Sequence, residues 1–194
     1  MNLTEGTNQE KVNRSKKMML WFGVVSLLMT FAGWTSAYIV SSAREDWLHN
    51  FNLPPAFYIS TGVLVASSLS YILAQRAMKS DKSKMCTLFL LVTLGLGIVF
   101  IFFQFKGFSE ITDQGYYFTG PSSSITTSYI FLIAMVHILH VIAGIISLLV
   151  VVVNQFRGKY TPTNMLGIEL GATFWHFLDL LWVYLMLFFA FYKP

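Results

Sequence analysis

Charged side chains are scarce in this sequence. Asp, Glu, Lys and Arg make up 11% of the 194 residues, whereas hydrophobic residues make up 55%. A soluble domain carries about 25% charged residues, so this chain has too few to cover a surface that faces water. Its net charge of +4 gives no basis for binding nucleic acid. The composition therefore excludes a soluble globular protein and predicts one whose solvent is largely lipid.

Cysteine is also nearly absent. Cys86 is the only one in the sequence, so an internal disulfide is impossible. We interpret it as a small apolar group at the start of a helix rather than as a reactive thiol. The sequence contains no HExxH, CxxC or GxSxG motif and no Gly-rich phosphate loop. We therefore expect no catalytic, cofactor-binding or metal-binding residues in this chain.

What the chain does have is five long apolar segments, at about residues 18–40, 56–75, 85–105, 127–153 and 168–191. Each is near or above the ~20 residues that a helix needs to cross about 30 Å of hydrocarbon. Runs such as 148–153 do not alternate apolar with polar residues, which argues against a membrane β-barrel. The predicted fold class is all-α: a polytopic membrane protein whose five transmembrane helices form one domain over residues 18–194.

The ends of the chain and the basic residues predict its orientation. Residues 1–17 are polar and are expected to form a flexible cytoplasmic tail. The first apolar run is longer than the ~7–15 residues of a signal-peptide core, so we expect it to be retained as a helix. If the N-terminus is cytoplasmic, the inner segments hold 4, 4 and 2 Lys or Arg, which is 10 of the 13, and the outer ones hold Arg44, Lys106 and Lys193. This asymmetry predicts a cytoplasmic N-terminus and a periplasmic C-terminus.

Ionisable residues are confined to the interiors of the last two apolar segments. They are His137 and His140 in the fourth, and Glu169, His176 and Asp179 in the fifth. Steps of three and four residues place each set on one helix face. Such residues within a membrane indicate packing or function. Three interpretations remain open at this point: hydrogen-bonded packing between two helices, haem ligation by the histidines, or a path for protons or ions.

The depth of these residues predicts one specific contact. At about 1.5 Å per residue, His140 and Asp179 lie at similar levels near the centre of the bilayer. An unpaired carboxylate there costs several kcal/mol. We therefore expect Asp179 to be hydrogen-bonded to a histidine of the fourth helix, His140 first and His137 second.

Two sequence motifs carry a family resemblance. The segment HILHVIAG, residues 137–144, resembles the HxxHVxxG signature of subunit III of haem-copper oxidases. The segment ELGATFWHFLDLLW, residues 169–182, resembles the same family's E-x5-W-H-F-x-D-x-x-W helix and ends on Trp182. The resemblance covers about residues 18–192, and the topology predicted above fits the family's five-helix bacterial form.

The resemblance implies an accessory subunit of a proton-pumping terminal oxidase of aerobic respiration, which reduces oxygen to water. It implies a V-shaped helical subunit that packs against subunit I and supports assembly and sustained turnover. Haem and copper are then expected in the partner subunits and none on this chain. The expected electron donor is cytochrome c. The alternatives are subunit III of a quinol oxidase, or an independent membrane carrier or cytochrome b-type subunit.

The resemblance also implies a setting and a ligand. The setting is the bacterial cytoplasmic membrane, with other oxidase subunits and a respiratory supercomplex as further partners. The ligand is phospholipid, held at the inner ends of the helices near Arg157, Lys159 and Glu169, because basic residues there bind anionic headgroups. The structural and lipid-binding candidates are His137, His140, Glu169, His176, Asp179, Trp182, Arg157 and Lys159.

The sequence departs from the family pattern at two places. The family often has a buried Glu in the helix that corresponds to the first span, and Leu27 stands at that position. Met135 and Ile138 replace the two glycines of the family's TGxHGxH pattern. Because Leu27 replaces that Glu, any proton-collecting role of this position is in doubt for this chain.

Overall fold

The computed structural model describes residues 7–48, 51–120 and 123–192. It contains five long helices, each long and apolar enough to cross a membrane, and the described ranges contain no strand. This confirms the predicted fold class. The helices are α1 (Asn8–Ser41), α2 (Pro55–Lys79), α3 (Ser83–Asp113), α4 (Ile125–Phe156) and α5 (Leu166–Phe191).

Local sequence signals determine where several helices begin and end. Pro55 occupies the first position of α2, where its missing N–H costs no hydrogen bond. Arg76 and Lys79 lie in the last turn of α2, next to the negative end of the helix dipole. The tight turn from α2 to α3 places Asp81 at φ 57°, in the left-handed region. Gly158 adopts φ 66° just after α4, where glycine is favoured.

The predicted flexible tail is wrong for residues 8–17, because α1 already begins at Asn8. The Thr7 hydroxyl accepts a hydrogen bond from the Glu10 backbone N–H, and the Glu10 carboxylate accepts one from the Thr7 backbone N–H. This capping box removes two orphan donors, and the helix then continues without a break into the apolar span. Residues 1–6 lie outside the described part of the chain, as do His49, Asn50, Pro121 and Lys193.

Four of the helices form a closed bundle, and α1 lies beside it. Helix α2 packs against α3 and α5, and α4 packs against the same two helices. Helix α1 contacts only α4 and α5 among the described helices. Its buried side chains, Val24, Phe31, Thr35 and Tyr38, lie along one line of the helix. The last two helices, which carry the ionisable residues, are therefore at the centre of the fold.

Candidate functional site

Three side chains of α5 form hydrogen bonds to hydroxyl groups of α2 within the membrane-spanning region. Trp175 Nε1 donates to Ser67 Oγ at 3.0 Å, and Trp182 Nε1 donates to Thr61 Oγ1 at 3.1 Å. Between them, His176 Nδ1 and Ser68 Oγ share a hydrogen bond of 2.6 Å. The polar face of α5 therefore contacts α2, and this surface is called the α2–α5 seam below.

The sequence spacing of the two helices explains this register. The two helices are antiparallel, since α2 begins on the side of the membrane where α5 ends. Along α5, the side chains of Trp175, His176 and Trp182 are separated by one and then six residues. Along α2, the hydroxyl residues that they contact are separated by six and then one: Thr61, Ser67 and Ser68. Indole and imidazole N–H groups need acceptors when buried, and α2 supplies hydroxyls at the corresponding levels.

Trp175 lies at the centre of the bundle and contacts three other helices. A Cβ on Gly97 of α3 would lie 2.7 Å from its ring, and a Cβ on Gly144 of α4 would lie 3.3 Å from it. The indole is 1% exposed, and its nitrogen is bound to Ser67 of α2. The two glycines therefore make room for the ring, as small residues do at close helix contacts in membranes.

The two histidines of α4 pack against aromatic rings. His137 is 0% exposed and stacks on Trp182, with ring centroids 5.0 Å apart at 27°. Phe31 and Phe100 meet it edge-on at 6.2 and 6.0 Å. His140 Nδ1 donates to the backbone oxygen of Val136 in its own helix at 2.7 Å. Rings enclose His137 closely, so the surroundings do not fit a haem ligand.

The predicted hydrogen bond between Asp179 and a histidine of α4 is wrong. Asp179 is 5% exposed, yet neither carboxyl oxygen has a hydrogen-bond partner among the described residues. His137 also has none on either ring nitrogen. The prediction matched depth but not direction: the polar face of α5 is turned toward α2, and Trp182 occupies the space beside His137.

Glu169 and the basic lipid candidates lie at the inner ends of the helices. Glu169 pairs with Lys17 of α1 at 3.0 Å, and both side chains are partly exposed. Arg157 and Lys159 are exposed in the connection between α4 and α5. Lys17 and Glu169 line a cavity of about 450 Å³ together with Lys79 of α2. The structure therefore does not gather the three predicted lipid residues around one cavity.

A second inner cavity, of about 600 Å³, opens between α1, α4 and α5. Its walls are mostly apolar and include Leu20, Val150 and Phe174, while Lys16 and Tyr160 line it at the inner end. Burial raises the pKa of the Tyr160 phenol, which is therefore a neutral hydrogen-bond donor at physiological pH. This arrangement of an apolar groove below polar groups suits an amphiphile. No pattern in the sequence indicates this cavity, because it depends on the distance of α1 from α4 and α5.

The remaining chemistry of the site is limited. Within the described ranges, no group of three or more His, Cys, Asp or Glu side chains could hold a metal ion. Cys86 is fully buried at the start of α3. The hydroxyl partners in α2 were missed at the sequence level, although the repeated pairs Ser60–Thr61 and Ser67–Ser68 on one helix face could have indicated them.

Comparisons with known proteins cover nearly the whole chain. The family model described as "Cytochrome c oxidase subunit III" matches residues 3–193. Cytochrome c oxidase subunit 3 of Papio hamadryas is 28% identical over 93% of this chain and 71% of its own length. Cytochrome bo(3) ubiquinol oxidase subunit 3 of Buchnera aphidicola subsp. Schizaphis graminum is 30% identical over 90% of this chain and 93% of its own length. The corresponding protein of Buchnera aphidicola subsp. Acyrthosiphon pisum is 26% identical over 93% and 88%.

These matches confirm the resemblance seen in the motifs of α4 and α5, and they do so for chains named after two different oxidases. The five membrane-spanning helices in the described part of the chain are consistent with this family. This multi-pass membrane protein belongs to the cytochrome c oxidase subunit III family, the non-catalytic third subunits of haem-copper oxidases.

Proposed function

We propose that this chain packs directly against subunit I of a proton-pumping terminal oxidase in a bacterial cytoplasmic membrane. It supports assembly and sustained turnover of an enzyme that takes electrons from cytochrome c and reduces oxygen to water. Haem and copper are held by the partner subunits. The observation that carries the proposal is the family match over residues 3–193, which leaves no part of the chain for an independent carrier or cytochrome b function.

Purification of the intact complex from native membranes tests this proposal. A tag on this chain should recover haem-bearing subunits that oxidise reduced cytochrome c. Removal of this chain from the complex should shorten the period of linear turnover. The chain purified alone should give no Soret band. Recovery without any haem protein, or a stoichiometric haem on the isolated chain, would contradict the proposal.

A quinol oxidase is the second candidate. The chain spans 88% and 93% of the two Buchnera ubiquinol oxidase subunits, but 71% of the Papio cytochrome c oxidase subunit. This similarity in length favours a quinol as the electron donor, but chain length does not identify the donor-binding site. Parallel assays of the purified complex with reduced cytochrome c and with ubiquinol decide between the donors.

The proposed orientation places the N-terminus in the cytoplasm and the C-terminus in the periplasm. Its support is the 10-to-3 division of Lys and Arg between the two sides. Reporter fusions at Lys84 and Asn164 should read cytoplasmic, and a fusion at Gly120 should read periplasmic. The reverse pattern would overturn the orientation.

We also propose that the inner end of the bundle holds an anionic phospholipid. The 600 Å³ cavity is the support, because its apolar walls suit an acyl chain and Lys16 and Tyr160 suit a headgroup. Arg157 and Lys159 are exposed in the connection that includes Tyr160 and can add to the attraction. Glu169 stays paired with Lys17 and is not a headgroup ligand.

Quantification of lipid retained by the purified complex tests the lipid site. Lys16→Glu should lower the retained anionic phospholipid, whereas Lys84→Glu, an equal charge change at an exposed residue outside the cavity, should not. Equal loss in both variants would indicate only general attraction to the membrane surface and would contradict a site.

A further inference from the structure

Asp179 is a buried carboxyl group without a hydrogen bond to any described residue. Such a group is costly in a membrane interior when it stays unsatisfied. Helices α1, α2 and α4 run close to α5, and side chains of α5 also reach α3 at Gly97 and Phe100. The side chain that serves Asp179 must therefore come from one of these helices or from α5 itself.

Most of the polar groups around Asp179 are already in use. Both tryptophan N–H groups of α5 donate to Ser67 and Thr61. His140 Nδ1 donates to Val136 in its own helix, and His137 stacks on the Trp182 ring and has no hydrogen bond to Asp179. The charged pair formed by α1 and α5, Lys17 with Glu169, is at the inner end of the bundle. None of these groups forms a hydrogen bond to the carboxyl.

Ser68 is different, because its hydroxyl contacts the face of α5 that carries Asp179. It shares the 2.6 Å hydrogen bond with His176 Nδ1. His176 and Asp179 are three residues apart on α5, so their side chains lie on the same face. Side chains of a helix lean toward its N-terminus, which brings the Asp179 carboxyl toward the level of His176 and Ser68.

We propose that Asp179, Ser68 and His176 form one hydrogen-bonded unit in the α2–α5 seam, in which Ser68 links the carboxyl to the imidazole. A hydroxyl can donate one hydrogen bond and accept others, so Ser68 can serve both groups at once. The unit holds α5 to α2 in the membrane interior. In this unit, Ser68 couples Asp179 to His176. This assignment does not depend on the electron donor or on any partner subunit.

Matched variants at residue 68 test the link, because Thr keeps the hydroxyl and Val removes it at nearly the same volume. In the assembled complex, Ser68→Val breaks the bond to His176 whatever residue 179 is. With Asp179 present it also leaves the carboxyl without a partner. The thermal midpoint should therefore fall by about 2–4 °C more in the Asp179 chain than in an Asp179→Leu chain. Thr61→Val, which removes the bond to Trp182, should cost the same in both chains.

A spectroscopic measurement tests the same link even if one variant assembles poorly. In complexes labelled with ¹⁵N-histidine, the His176 signal is identified by its loss in His176→Gln. Asp179→Leu should shift this ¹⁵N signal when residue 68 is Ser or Thr, and leave it unmoved in the Ser68→Val background. No shift in the chain that keeps Ser68, an equal shift in the Ser68→Val background, or equal thermal costs in both residue-179 backgrounds would overturn the proposal.

Discussion

Helices α1 and α5 are alike in sequence character but are held in different ways. Their most apolar windows have mean hydropathies of 1.6 and 1.7, yet 17% of the α1 window is buried against 44% of the α5 window. Helix α5 has hydrogen bonds to α2 and a tryptophan fitted between two glycines. Hydropathy therefore identifies a span, but it does not reveal how firmly the span is attached.

The attachment of α1 is stronger in its outer half. Phe31 and Tyr38 are buried there, and the Tyr184 hydroxyl of α5 donates to Thr35 at 3.3 Å. In the inner half, Lys17 of α1 forms an ion pair with Glu169 of α5. A cavity of about 600 Å³ lies between the inner half of α1 and its neighbours. Another of about 490 Å³ lies farther out, beside Phe31 and Tyr184. We infer that the inner half of α1 depends on lipid or partner contacts.

Two tryptophans give the largest expected contrast between α5 and α1. Trp175→Ala should lower the free energy of unfolding by about 3–5 kcal/mol, since it empties the centre of the bundle. Trp21→Ala, on the outward face of α1 where the ring is 58% exposed, should change it little. Detergent-titrated unfolding of each variant measures the difference. Similar losses would contradict the contrast.

Two glycines make the same comparison with a smaller effect. A Cβ on Gly144 would lie 2.9 Å from Leu178, whereas nothing lies within 4 Å of a Cβ on Gly23 of α1. Gly144→Leu should therefore cost about 1–3 kcal/mol through overpacking, and Gly23→Leu should be neutral or slightly stabilising within this chain. The same unfolding assay ranks them, and a costly Gly23→Leu would show that α1 packs more tightly than described.

The contrast also explains what the sequence could predict. Apolar length alone was enough to place five spans and the fold class, because the physical requirement of crossing lipid is the same for every helix. Depth along α4 and α5 was predictable from the rise per residue, but the rotation of α5 was not. The choice between α4 and α2 as the partner of the polar face of α5 depends on hydroxyls spaced along α2 and on Gly144 and Gly97, which admit Trp175.

The start of α1 was mispredicted for a different reason. Residues 8–17 have no apolar periodicity, so a pattern based on burial predicts a tail. The capping box of Thr7 and Glu10 instead begins a helix that the following span extends. Cap residues ahead of a long span are a usable sequence signal, and in this chain they outweigh the polar composition.

The turn between α2 and α3 offers a test of backbone strain, at Asp81. It adopts φ 57° between α2 and α3, a conformation that glycine adopts without a steric cost. Asp81→Gly should therefore raise the free energy of unfolding, by no more than the about 1–2 kcal/mol that the left-handed conformation costs an L residue. Ser80→Gly, at φ −90°, is the control and should give no gain. A destabilised Asp81→Gly would show that the side chain, rather than the backbone, determines this turn.

The smallest expected effect concerns the inner end of α1. Lys17 and Glu169 are 52% and 38% exposed, so their pair should contribute about 0.2–1 kcal/mol, and less at high salt. Lys17→Glu should destabilise slightly, and adding Glu169→Lys should restore the loss by reversing the pair. A double variant no better than the single one would indicate that the pair contributes nothing.

The most direct test of the difference between α1 and α5 is the width of distance distributions between spin labels in the Cys86→Ala chain. One label pair joins the inner halves of α1 and α4, at Met19 and Val153, and the other joins the outer ends of α1 and α5, at Val40 and Leu187; all four side chains are exposed. In the chain alone, we predict a broad distribution for the inner pair and a narrow one for the outer pair. In the assembled, lipid-containing complex, the inner distribution should narrow. An inner pair as narrow as the outer pair in the chain alone would contradict a loosely held inner half of α1.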